Sequence, residues 1–251
     1  MRTSITDTKR FVCLFLVLSL LFCAILGALL LLGFEAAPSS AEPVYNTEVL
    51  PTVVIDAGHG GEDGGAVGYG DVYEKDLNLS IALMLSDILR LNGINTVLTR
   101  SEDILLYDRN SNYQGQKKVQ DLATRRRIAE GYENAVFVSI HMNAFPEERY
   151  SGLQVYYSKN EPSSKELAEN IQALTKELLL PDNNRKCKAA DQNIYLLDRL
   201  ECPAVLVECG FLSNREECTR LSTGEYQQKL ALCLASSVIK YINEQKTELT
   251  P

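Results

Sequence analysis

Only two histidines occur in this 251-residue chain, and each comes at or just past the end of a short apolar run. His59 lies in Ile55–Lys75, IDAGHGGEDGGAVGYGDVYEK, among seven glycines, and His141 closes the run AVFVSIH. Glu208 closes a third run, AVLVE. Two imidazoles and one carboxylate, with a fourth position left open, make a catalytic zinc shell. Such a metal lowers the pKa of water toward about 7, and a second, unligated carboxylate can take the proton. The site therefore wants one carboxylate as ligand and another as base. Glu208 competes for these roles with the acidic residues of the glycine-rich loop. Spacing alone does not choose between Glu62, Asp63, Asp71 and Glu74. Calcium fits the set poorly, because it takes hard oxygen ligands.

The glycine-rich loop is not a nucleotide cradle. Gly58 and Gly60 are followed by Asp63 where the fingerprint G-x-G-x-x-G wants its third glycine. A phosphate loop opens directly into a helix whose first amides hold the anion. Here Glu62, Asp63 and Asp71 would repel a phosphate, and helical periodicity resumes only near Asp76. A single histidine in a strand is usually structural, and Glu208 alone could cap a helix. Three such residues at three strand ends favour a site.

The elements that must position them alternate. Val53–Asp56 is a short buried strand, and Leu77, Ile81, Met84, Leu85, Ile88 and Leu89 recur at helical spacing before Gly93. Asn95–Thr99 is the next strand, so this unit is β-loop-α-β with parallel strands. A polar stretch, Tyr107–Lys118, precedes a helix over Val119–Tyr132. Strands follow at Ala135–His141 and Gly152–Tyr157, a helix at Ser163–Leu180, and short strands at Ile194–Leu197 and Ala204–Glu208. Helices over Arg215–Leu221 and Gly224–Asn243 close the domain. The fold class is α/β, a mostly parallel or mixed sheet of about six strands covered by helices on both faces. In such sheets the functional crevice lies outside the carboxyl ends of the strands. That edge is where His59, His141 and Glu208 would meet.

Residues 1–34 read as an N-terminal signal-anchor, 35–50 as a linker and 51–246 as the catalytic domain. Phe11–Phe34 carries no charge and is long enough for a bilayer core of roughly 30 Å. Arg2, Lys9 and Arg10 precede it, which leaves the domain on the extracytoplasmic side. Ser39-Ser40-Ala41 offers a cleavage site as the alternative, giving a secreted domain. Beyond Phe34, 22 basic residues face 32 acidic ones, a net charge of −10 that argues against nucleic acid as a partner. Of seven cysteines, Cys13 and Cys23 lie in the apolar span, and the other five form no C-x-x-C pair. They read as buried free thiols and hold no metal.

The motifs VVIDAGHGGEDGGAVG, YEKDLNL, TVLTR, VFVSIHMNA and VLVECGFLSN resemble, in order, those of zinc-dependent N-acetylmuramoyl-L-alanine amidases. The resemblance covers about Thr52–Asn243. It implies one zinc ion per chain held by His59, Glu74 and His141, with Glu208 as general base. The substrate it implies is peptidoglycan, cut between the lactyl group of muramic acid and L-alanine. Within the family the chain is most similar to the germination-specific, spore-cortex type, in its single apolar span, bare catalytic domain and long segment between Arg100 and Arg125. Wall-binding repeats and a strongly basic surface are both absent from the sequence, which points to an additional envelope protein or lipoprotein as a partner. Asp56 and Asp63 are candidates to orient His59, and Asn143 to orient substrate. The rival functions are a zinc peptidase of the stem peptide and a non-catalytic envelope protein with a degenerate site.

Overall fold

The computed structural model describes residues 15–27, 50–110 and 115–248. The chain divides into two compact units, Met1–Glu48 and Val49–Pro251. In the first, residues 15–27 form a helix, α1. Among the described residues no helix is long and apolar enough to cross a membrane. The expected anchor Phe11–Phe34 and the linker 35–50 extend outside the described residues.

The second unit runs β1 (Thr52–Ala57), α2 (Glu74–Leu91), β2 (Thr96–Leu98), α3 (Lys117–Glu130), β3 (Ala135–Asn143), β4 (Gln154–Tyr157), α4 (Ser163–Leu178), β5 (Lys188–Ala189), α5 (Tyr195–Arg199), β6 (Ala204–Phe211), α6 (Arg215–Leu221) and α7 (Gly224–Glu248). The six strands form one sheet in the order β2-β1-β3-β6-β4-β5. All neighbours are parallel except β4 and β6, so the sheet is mixed.

Successive strand side chains point to opposite faces, and both faces of this sheet are buried. Val53, Ile55, Val138, Val205 and Val207 pack on one side with residues of α2, α4 and α7. Val54, Phe137 and Ala204 pack on the other with Ala129 of α3 and with Leu196 and Leu197 of α5. Burial on both faces is why these strands read as continuous apolar runs rather than alternating ones. The chain leaves β1 for β2 on one side and resumes at β3 on the other. That reversal opens a crevice at the carboxyl ends of β1 and β3.

Two expectations are corrected. Ile194–Leu197 is not a strand: Ile194 is the N-cap of the short helix α5, which lays Leu196 and Leu197 on the sheet. A run of four apolar-rich residues carries no period long enough to separate the two cases. The helix after the glycine-rich loop begins at Glu74, two residues before Asp76. The edge strand β5 is exposed and carries no apolar pattern that would announce it.

Candidate metal centre

The loop between β1 and α2 brings the first histidine into place through an unusual backbone. His59 has φ +63°, in the left-handed region, followed by Gly60 at +139° and Gly61 at +54°. Histidine visits that region more readily than most non-glycine residues, yet the conformation must be held. Two buried arginines hold it. Arg125 donates to the carbonyl oxygens of Ala57 at 2.7 Å and His59 at 2.6 Å. Arg100 donates to those of Ala57 at 2.8 Å, Gly58 at 3.0 Å and Lys75 at 2.8 Å.

Glu74 is the first residue of α2 and is buried. A carboxylate there sits at the positive end of the helix dipole. Its Oε2 accepts from the Ala66 amide at 2.8 Å, and its Oε1 from the Met142 amide at 3.0 Å and Asn78 Nδ2 at 3.3 Å. Oε1 also lies 2.8 Å from His141 Nδ1 and 3.2 Å from His59 Nε2. Burial raises the Glu74 pKa, but hydrogen bonds and charge from His141 and His59 outweigh it and hold the carboxyl well below the usual range. Burial likewise opposes the charge on His59, while Glu74 and Asp63 win and raise its pKa.

The three ligand atoms lie within 4.8 Å of one another. Donors about 2.0–2.1 Å from a tetrahedral zinc ion stand roughly 3.3 Å apart, close to the two Glu74 separations. Two glycines make this approach possible. A Cβ on Gly58 would lie 2.2 Å from His141 Nε2, and one on Gly65 would lie 2.5 Å from Glu74 Oε2.

The other loop carboxylates stand elsewhere. Glu62 is exposed and takes Lys117 Nζ at 2.8 Å and Tyr107 OH at 3.2 Å. Asp71 is exposed on the far part of the loop, with φ +59°. Asp63 Oδ1 approaches His59 Nδ1 to 3.0 Å, although the alignment leaves Nδ1 without a well-formed hydrogen bond. Asp56 does not orient His59 through its ring. Its carboxylate accepts from Arg125 at 2.7 Å, Thr99 at 2.7 Å and Ser139 at 2.6 Å. Burial alone would raise its pKa; Arg125, Ser139, the charge of His141 and Thr99 bring it down to about 2. The backbone carbonyl of Asn143 accepts from the Leu212 amide at 2.8 Å.

Glu208 is the Cα partner of His141 across the β3–β6 ladder, so the two side chains share a face. Its Oε2 is shielded from solvent and has no hydrogen-bond partner among the described residues. Burial pushes its carboxyl up to about 7, with His141 and His59 pulling down and Glu74 pushing up. A buried acceptor without a donor is rare and needs a reason. With the histidines, Asp63, Lys118 and Tyr195 it lines a cavity of about 280 Å³. The donor set beside an orphaned carboxylate fits a metal ion with a proton acceptor next to it.

Arg100 and Arg125 were not identified from the sequence as part of the site. Arg125 sits in ATRRRIAE, a polar helix stretch that reads as solvated. The one local signal is its i,i+4 pairing with Asp121, at 2.8 Å.

Comparison with known proteins agrees with this geometry. Residues 53–240 match the family model described as N-acetylmuramoyl-L-alanine amidase. The germination-specific N-acetylmuramoyl-L-alanine amidase of Bacillus subtilis is 34% identical over 193 residues, 77% of this chain and 80% of that protein. The amidase LytC of the same organism is 32% identical over 204 residues, 80% of this chain but 37% of its own length. Among solved structures, the CwlD amidase of Clostridioides difficile, in complex with the GerS lipoprotein, superposes with a TM-score of 0.73 at 40% identity, covering 77% of this chain and 98% of that one. The AmiC2 amidase of Nostoc punctiforme gives 0.65 at 34% identity, over 77% of this chain and 97% of its own. Fold, motif order and the His-Glu-His cluster agree: the chain belongs to the N-acetylmuramoyl-L-alanine amidase family.

Proposed function

We propose that this protein is a zinc amidase that releases the stem peptide of peptidoglycan by cutting between the muramic acid lactyl group and L-alanine. The observation that carries the reading is the shielded, partnerless Oε2 of Glu208 beside the His59–Glu74–His141 cluster. His59 through Nε2, His141 through Nδ1 and Glu74 through Oε1 would hold the metal. When bound, zinc supplies Lewis acidity toward water and the substrate carbonyl. Glu208 accepts the proton of the attacking water and passes it to the amide nitrogen, which leaves badly unless protonated. Arg125 holds the His59 carbonyl and Arg100 the Gly58 carbonyl before it, so the imidazole is in place before substrate arrives.

Similarity to the B. subtilis germination-specific enzyme supports spore cortex as the setting. The C. difficile relative's complex with a lipoprotein supports a partner of that kind here. The apolar segment Phe11–Phe34 supports tethering of the domain to the outer face of a membrane. Peptidoglycan digested by the purified protein and resolved by mass spectrometry tests the activity. Intact stem peptides beginning at L-alanine, with peptide-free glycan, are expected. Fragments cut within the peptide would make the protein a peptidase instead.

A further inference from the structure

A cavity of about 610 Å³, larger than the one holding the histidines, opens beside β4 with Arg149, Tyr150, Gly152, Asn183, Arg185 and Arg220 in its wall. Arg185 is half-buried and fixed from three sides. Its Nε donates to the Ser151 carbonyl at 2.6 Å, and its Nη1 to Gln154 Oε1 at 3.2 Å. Its guanidinium lies 4.3 Å from the centre of the Phe211 ring. All three partners are neutral, and among the described residues Arg185 forms no ion pair with a carboxylate. Guanidinium carries five N–H donors; those three contacts engage only two of them.

Arg149 repeats the arrangement nearby. Its guanidinium lies 5.2 Å from the Tyr150 ring, and that ring stacks on Phe211 with 6.3 Å between centres. The acidic residues of the wall do not neutralise this pair. Glu217 is buried and occupied by the amides of Gly152 and Phe211 and by Arg220. Asp182 and Glu216 are exposed. Arg149 and Arg185 therefore stand in one cavity wall on aromatic faces, and no ion pair to a carboxylate is formed by either among the described residues.

Their place in the sheet gives the pair a use. Gln154, which holds Arg185, is the antiparallel Cα partner of Glu208. Paired side chains share a face, one strand spacing of about 4.8 Å apart. Across the row His141–Glu208–Gln154, Gln154 therefore lies two strand spacings, about 9.6 Å, from His141, and Arg185 lies one hydrogen bond beyond it. An extended peptide rising about 3.3 Å per residue covers the first ~9.6 Å in roughly three residues and reaches Arg185 with about one or two more.

We infer that Arg185, assisted by Arg149, forms a carboxylate-binding subsite for the peptide side of the substrate. The inference rests on the amidase reading above. A planar guanidinium held by neutral acceptors presents its remaining donors as a fork that matches a carboxylate.

Calorimetry on the full chain tests it, using the L-alanine-led stem peptide with free carboxylates and its carboxamide counterpart. The parent protein should bind the carboxylate form about 10-fold or more tightly, as expected for a charge-assisted pair. R185Q should lose that preference, and R185K, which keeps the charge without the fork, should retain only part of it. Circular dichroism and zinc content of each variant separate a lost subsite from a lost fold. Equal binding of the two peptides by the parent, or an undiminished preference in folded R185Q, overturns the subsite. An Arg185-dependent preference in a protein that releases no peptide from muramic acid would keep the subsite and remove the amidase reading.

Discussion

The carbonyl oxygen of His59 accepts a 2.6 Å hydrogen bond from Arg125, a residue 66 positions away on α3. The same guanidinium meets Asp56 at 2.7 Å and Asp121 at 2.8 Å, and all three side chains are almost fully buried. Removing one member of such a set strands the others' charges. Arg125→Met should therefore cost about 3–5 kcal/mol of stability, the usual range for breaking a buried pair from one side. Urea unfolding at neutral pH measures it. A loss under 1 kcal/mol would mean that Asp56 and Asp121 are relieved by solvent.

The Asp56 end of that network sets an acid limit. Its folded pKa is about 2, below the ordinary 3.8. The unfolded chain therefore binds the proton more readily, and stability falls as pH drops. The contribution is fully present above pH 3.8 and is lost as pH falls through about 2. Asp56→Asn should be less stable than the parent at pH 6 and should show a shallower decline between pH 4 and pH 2. Parallel slopes for the two proteins would contradict the assignment.

Zinc retention should depend on His59, Glu74 and His141, whose ligand atoms converge, and on no cysteine. Cys209, Cys218 and Cys233 are buried and free, and none belongs to the cluster. Metal analysis of folded His59→Ala, Glu74→Ala and His141→Ala proteins is the check. Full zinc in both histidine variants would sink the ligand assignment.

Glu208→Gln keeps shape and hydrogen-bonding capacity while removing the proton acceptor. It should keep its zinc and lose roughly 10²–10⁴ in rate, the range for general acid–base catalysis. Zinc content and peptide release are measured side by side. Loss of zinc would make Glu208 a ligand, and parental turnover would make it structural.

Gly58→Ala should disturb the metal centre, because its Cβ would lie 2.2 Å from His141 Nε2. Gly70→Ala is the control, since nothing stands within 4 Å of its Cβ and only its φ of +73° opposes the side chain. The control should lose about 1–2 kcal/mol of stability and keep its metal. Gly58→Ala should lose metal affinity, read by competition with a chromophoric chelator. Equal affinities for the two variants would show that His141 can turn aside freely.

The sequence by itself determined the strands that carry the site and the face they share. VVID, AVFVSIH and AVLVE are continuous apolar runs because both sheet faces are covered, and a chemistry-bearing residue closes each run or follows it. The motif order was equally legible, since it is a linear property. Residue spacing left the loop carboxylate open and only the motif resemblance implied Glu74; the tertiary structure puts Glu74 Oε1 2.8 Å from His141 Nδ1 and 3.2 Å from His59 Nε2. Glu62, Asp63, Asp71 and Glu74 share one glycine-rich stretch, and its path depends on positive φ values and on clearances at Gly58 and Gly65 that no residue pattern states. The roles of Arg100 and Arg125 were hidden for the same reason. A buried arginine is stable only where distant carboxylates and carbonyls converge on it, and here those groups come from β1, α3 and the metal loop together.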